Sequence, residues 1–122
     1  MEILLDKRAT KYVSELYKNL KNLIDSLEND HLNEKYLRKA EKIVDRIRRE
    51  YCVENECDSL LLLVDFVYCN IIKLIEEELK QDKKPVQQVK DLAYKYLSRL
   101  EELLPRNNNR GSNILKKIFS FV

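Results

Sequence analysis

Residues 59–80 read SLLLLVDFVYCNIIKLIEEELK, and the reading of this stretch decides the fold. From Leu60 through Ile75, apolar side chains fall on nearly every side of a helix, which marks the most buried element of a helical domain. Only the last turns, Glu76-Glu77-Glu78-Leu79-Lys80, re-emerge into water. Asp58 or Ser59 caps the amino end, since either side chain accepts from a backbone N–H that lacks a partner within the helix. The longest unbroken apolar run, Leu60 to Val64, is closed by Asp65. That is far short of the ~20 residues a membrane-spanning helix needs.

The 3.6-residue repeat continues on both sides. Upstream, past the short polar connection Glu54-Asn55-Glu56, a helix from about Leu32 to Tyr51 turns Tyr36, Leu37, Ala40, Ile43, Val44, Ile47 and Tyr51 inward. Before it, Ala9, Tyr12, Val13, Leu16, Leu20, Leu23, Ile24 and Leu27 form the stripe of a first helix that Asn29-Asp30 closes. Downstream, Gln81 to Lys84 make a connection. Pro85 then fits the first turn of a fourth helix, where its missing N–H costs nothing. Val86, Val89, Leu92, Ala93, Tyr96, Leu97, Leu100, Leu103 and Leu104 give that helix its apolar side, and Pro105 stops it.

Short connections favour antiparallel neighbours, so the expected architecture of residues 1–105 is an all-α, antiparallel up-down four-helix bundle. A three-helix core with a loosely docked first helix is the alternative. One Gly and two Pro in 122 residues leave too few turns for a sandwich or barrel, and a chain of this length buries enough surface to fold as one domain. No internal repeat is visible. Residues 106–112, Arg-Asn-Asn-Asn-Arg-Gly-Ser, have nothing apolar to bury and read as a flexible linker. Residues 113–122 turn apolar again and read as a short helical tail.

The formal net charge is +2, with 36% charged residues of both signs interspersed through the first hundred positions. Ion-pair surfaces of this kind are common in thermophiles, although the many Asn residues fit heat less well. Met1-Glu2-Ile3-Leu4-Leu5-Asp6 is broken by charge at once, so no secretory leader is expected. Three cysteines, Cys52, Cys57 and Cys69, suit a reducing cytoplasm better than a disulfide framework. A local pairing of Cys52 with Cys57 is the alternative to free thiols.

Candidates for chemistry are few. His31 is the sole histidine and sits at a turn, without the neighbouring nucleophile or carboxylate that acid–base work requires. Zinc would need four ligands in close pairs, and the third cysteine lies inside the apolar helix. There is no phosphate loop, dinucleotide fingerprint or metalloprotease motif. No enzyme, metal or cofactor is expected. On the second helix, Lys35, Lys39, Lys42, Arg46 and Arg49 recur at three- and four-residue intervals, and Arg38 and Arg48 widen the stripe. Such a ridge can track a phosphate backbone. The competing reading is that Glu34, Glu41, Asp45 and Glu50 neutralise it through local pairs.

The tail carries the one motif. Ser112-Asn113-Ile114-Leu115-Lys116-Lys117-Ile118-Phe119 resembles a PCNA-interacting peptide, the PIP box of replication and repair proteins. In that family Gln, two free positions, an aliphatic residue, two more free positions and two bulky apolar residues follow in order. The resemblance implies Leu115 as the aliphatic plug and Ile118 and Phe119 as the paired anchors; Phe121, just past the motif, is a further candidate contact. Ser112 stands where the family has Gln, and Ile118 replaces an aromatic. The resemblance covers eight residues. One helical turn brings Leu115, Ile118 and Phe119 to one side, able to fill an apolar pocket.

Two other readings of the tail stay open. The same spacing serves a fifth helix folded onto the core. Lys116-Lys117 among apolar residues also suits an anionic membrane surface, though two turns are short for that. The sequence therefore reads as a non-enzymatic adaptor, tethered by its tail to a DNA sliding clamp in replication or repair. A nucleic-acid-binding bundle is the alternative. A structural or oligomeric subunit whose tail packs on its own core is the other.

Overall fold

The computed structural model describes residues 6–53, 56–57 and 59–104. The sequence expectations for the linker at 106–112 and for Ser112, Leu115, Ile118, Phe119 and Phe121 fall outside those residues. The fold is helical, with four helices sharing one core.

Helix α1 spans Lys7–Asp25. The Asp6 side chain caps it, accepting from the Ala9 N–H at 2.7 Å. Its stripe of Ala9, Val13, Leu16, Leu20, Leu23 and Ile24 is fully buried. Asn29-Asp30 does not close this helix, which ends at Asp25 in a turn through Ser26. Asn29 instead starts the next one: its side chain accepts from the Leu32 N–H at 3.1 Å. Asn offers its amide oxygen equally well after one helix or before another, and the spacing alone does not choose between them.

Helix α2 spans Asp30–Tyr51. Ala40, Val44 and Ile47 are buried, with Tyr36, Leu37, Ile43 and Tyr51 partly buried against them. Strand β1 (Cys52–Val53) pairs antiparallel with β2 (Glu56–Cys57), with Cys52 opposite Cys57 in the register.

Helix α3 spans Ser59–Lys73; Asp58 lies outside the described residues. The expectation of burial on nearly every side is corrected here. Leu60, Leu61, Val64, Val67 and Ile71 are buried, but Leu62 is 61% exposed and Phe66 45%. A helix at the rim of a four-helix core has neighbours on one side only, and an apolar residue on the other side stays in water.

Past Lys73 the helix widens to a π-helical segment, Leu74–Leu79, where an ordinary α-turn was expected. A π-turn aligns residues five apart. Here that keeps Leu74 and Leu79, five apart, both packed on the core while Ile75 is buried. Asp82 then takes a left-handed backbone (φ 55°) in the connection, a conformation Asp tolerates better than most residues.

Helix α4 spans Val86–Glu101. Pro85 stands just before its first turn, as the cap residue, and its carbonyl accepts from the Val89 N–H at 3.1 Å. Val89, Ala93, Leu97 and Leu100 are buried. The helix gives way to a turn at Glu102–Leu104, ahead of the Pro105 expected to stop it.

Polar pairs clasp the helices at their margins. Along α1 and α4, Tyr94 donates to Asp25, Tyr17 donates to Glu101 at 3.0 Å, and Lys90 pairs with Glu28 at 2.6 Å. Burial pushes the Asp25 carboxyl up, but the hydrogen bonds from Tyr94 and Lys21 outweigh it and hold Asp25 below its ordinary value.

Burial also raises the phenols: Tyr68 to about 12, and Tyr94 to about 12 with help from its bond to Asp25. Tyr17 is raised by burial and by Glu101. A phenol whose folded value lies above its unfolded value of about 10 adds stability that is complete below that pH. That stability drains away as pH climbs through the folded value. An alkaline titration followed by tyrosinate absorbance should therefore show a late phase that coincides with loss of helical circular dichroism. One early phase for all seven tyrosines, with helicity intact, would contradict these burials.

Candidate nucleic-acid interface

The basic ridge of α2 is real as geometry, and it has a partner wall that the sequence did not reveal. Lys39, Lys42 and Arg46 line a groove of about 530 Å³ together with Tyr36 and Ile43. The facing wall belongs to α1: Glu15, Lys18, Asn19 and Asn22. Lys18 is the residue that sequence reasoning missed. Its position on the margin of the α1 stripe is legible, but only packing α1 against α2 brings it beside cations some twenty positions away.

The local acids do not neutralise the ridge in the way charge patterning allowed. Glu34 pairs with Arg38 at 3.0 Å, and Asp45 with Arg48 at 3.2 Å. Arg48 also reaches Asp65 on α3 at 2.9 Å. Glu50 is taken by α1, accepting from Arg8 at 3.0 Å and from the Tyr12 hydroxyl at 2.5 Å. Those two bonds, Tyr12 foremost, hold the Glu50 carboxyl below its usual range. Arg38 and Arg48 are therefore tied to carboxylates and do not widen the stripe. Among the described residues no carboxylate forms an ion pair with Lys35, Lys39, Lys42, Arg46 or Arg49, nor with Lys18.

Two ridge cations lie close to one aromatic ring instead. The Lys35 and Lys39 ammonium groups lie 5.8 and 5.9 Å from the centre of the Tyr36 ring, within the range of a cation–π contact. Lys35 lies near this ring and does not line the groove. Arg49 is on the same side of α2 but does not line the groove. What the structure gathers is thus Lys18, Lys39, Lys42 and Arg46, with Glu15 the one acidic side chain on the walls.

A second hollow, about 510 Å³, is bounded by Asp6, Lys7, Arg8, Glu50 and Tyr51. Its charges already face one another through the Arg8–Glu50 pair and the Tyr51–Asp6 bond of 3.5 Å. His31 stands exposed in the first turn of α2, and Cys69 is exposed on α3. Among the described residues no group of three or more His, Cys, Asp or Glu side chains is placed to hold a metal ion. None of the described helices is long and apolar enough to cross a membrane. Compared with known protein families, with curated proteins and with solved structures, the chain matches none.

Proposed function

We propose that the protein is a non-enzymatic adaptor that binds a single nucleic-acid strand in the groove between α1 and α2. One observation carries the reading: Lys18, Lys39, Lys42 and Arg46 converge on one groove with no carboxylate paired to any of them. Four cations against one carboxylate, Glu15, favour an extended anion, because neutralising its phosphates releases condensed counterions. The aromatic on the wall favours one strand, whose unpaired bases are free to stack. Tyr36 on the groove wall offers a face on which a base can stack.

The body is read as an up-down antiparallel four-helix bundle. Supporting this, Asp25–Tyr94 and Tyr17–Glu101 run in opposite order along α1 and α4, and Arg8 at the start of α1 meets Glu50 at the end of α2. The odd cysteine count supports a cytoplasmic setting. Titrating a fluorescently labelled single-stranded oligonucleotide with the intact protein at low salt tests the function. Saturable binding is expected, and weaker binding to duplex of the same length. Flat anisotropy at protein concentrations well above 10⁻⁴ M, the weak end of ordinary non-specific binding, sinks the reading.

A second reading rests on the spacing of Leu115, Ile118 and Phe119 behind Ser112: the tail tethers the protein to a DNA sliding clamp of the PCNA kind. The basic flank of Arg106, Arg110, Lys116 and Lys117 suits an acidic partner. The two readings are compatible, since a clamp and a single strand are found together at a replication fork. A peptide of residues 106–122 should bind the clamp, and Leu115→Ala with Phe119→Ala should abolish binding. Undiminished binding by the double variant removes these anchors.

A further inference from the structure

The apolar surface that α3 leaves in water is continuous and is built by two helices. Leu62 and Phe66 stand one helical turn apart, 61% and 45% exposed. Tyr96 of α4 meets the Phe66 ring edge-on, with centroids 5.8 Å apart. The Arg99 guanidinium lies 6.0 Å from the centre of the same ring. Single surface leucines are ordinary, whereas a joined apolar surface marks a place that something covers.

The course of the chain indicates what covers it. The described residues end at Leu104, five positions beyond Arg99 and so within roughly 18 Å of it even were the chain extended. The last described residue therefore lies near this surface, and residues 105–122 follow it in sequence. Residues 105–112 can reach up to roughly 26 Å when extended. The segment after them carries Ile114, Leu115, Ile118, Phe119, Phe121 and Val122. A matched apolar segment on a tether of that reach has a high effective concentration at the surface, so intramolecular docking competes well against any free partner.

We propose that the Leu62–Phe66 surface, with Tyr96 and Arg99 at its edge, is the seat of this chain's own C-terminal segment, residues 113–122. The proposal concerns the tail when no partner is bound, and it stands whether or not that partner is a sliding clamp.

The chain contains no tryptophan, so Phe119→Trp in the full-length protein gives one indole that reports on the tail alone. The expected result is a blue-shifted emission with several-fold weaker acrylamide quenching than the same indole in a free tail peptide. Adding Leu62→Asp and Phe66→Asp should restore peptide-like quenching with helicity retained. Should that variant lose helicity, Leu62→Gln alone serves: partial loss of protection supports the seat, and no loss overturns it. A peptide-like indole in the otherwise unaltered chain overturns the proposal. So does protection that disappears on dilution, because it assigns the seat to the tail of a second copy.

Discussion

A protein carrying Lys39→Glu and Arg46→Glu is expected to bind a single-stranded oligonucleotide on the order of 100-fold more weakly than the unaltered protein at the same salt. A hydrogen bond between a cation and a phosphate contributes roughly 1.5–3 kcal/mol. Losing two therefore costs about 3 kcal/mol, and 1.4 kcal/mol is a factor of ten. Both side chains are exposed and line the groove. Neither is in a salt bridge, so reversal costs the fold only the Lys39–Tyr36 ring contact and the attraction of Arg46 for Glu50, and helicity should be retained. Arg38→Glu with Arg48→Glu is the control. These cations already pair with Glu34, Asp45 and Asp65, and affinity should change far less. Equal losses in the two double variants would mean that net charge, not the groove, governs binding.

The second large effect is on the core. Leu20→Ala removes a fully buried side chain from the α1 stripe, and the cavity it leaves is expected to cost about 2–5 kcal/mol. Whole domains are stable by only about 5–15 kcal/mol. For a domain near this size the loss corresponds to a fall in melting temperature on the order of 10–20 °C. Leu32→Ala, at a 41% exposed position, should stay within about 0.5 kcal/mol of the unaltered protein. If both substitutions cost the same, α1 is not part of the core. That outcome would favour the alternative of a three-helix core with a loosely docked first helix.

These two variants divide along what the sequence could and could not tell. The stripes of α1, α2 and α4 were legible because burial on one side of a helix repeats every three or four residues. Leu20, Val44 and Leu97 fall where the repeat puts them. In α3 the repeat is silent: when apolar residues lie on every side, periodicity cannot say which side has a neighbour. Leu62 and Phe66 consequently read as core and proved to be surface. The π-helical segment at Leu74–Leu79 was hidden for a related reason, since its five-residue alignment is visible only once the core beneath it is known.

Half of the groove was legible. Lys39, Lys42 and Arg46 announce themselves by spacing along one helix, but Lys18 joins them only through the packing of α1 on α2. The fate of the acids was illegible too. Glu50 could serve Arg46 one turn back or Arg8 on another helix, and the structure shows it with Arg8 and Tyr12. That choice leaves Arg46 available to a ligand. The tail's Leu115, Ile118 and Phe119 remain a matter of sequence spacing.

If the groove cations neutralise phosphates, the affinity for an oligonucleotide must fall with salt. For a single strand the slope of log K against log salt is about −0.7 per phosphate neutralised, so four groove cations give a slope near −3. The Lys39→Glu/Arg46→Glu protein should show a slope nearer about −1.4, since each lost contact removes about 0.7. An affinity indifferent to salt, or the same slope in both proteins, would contradict the account.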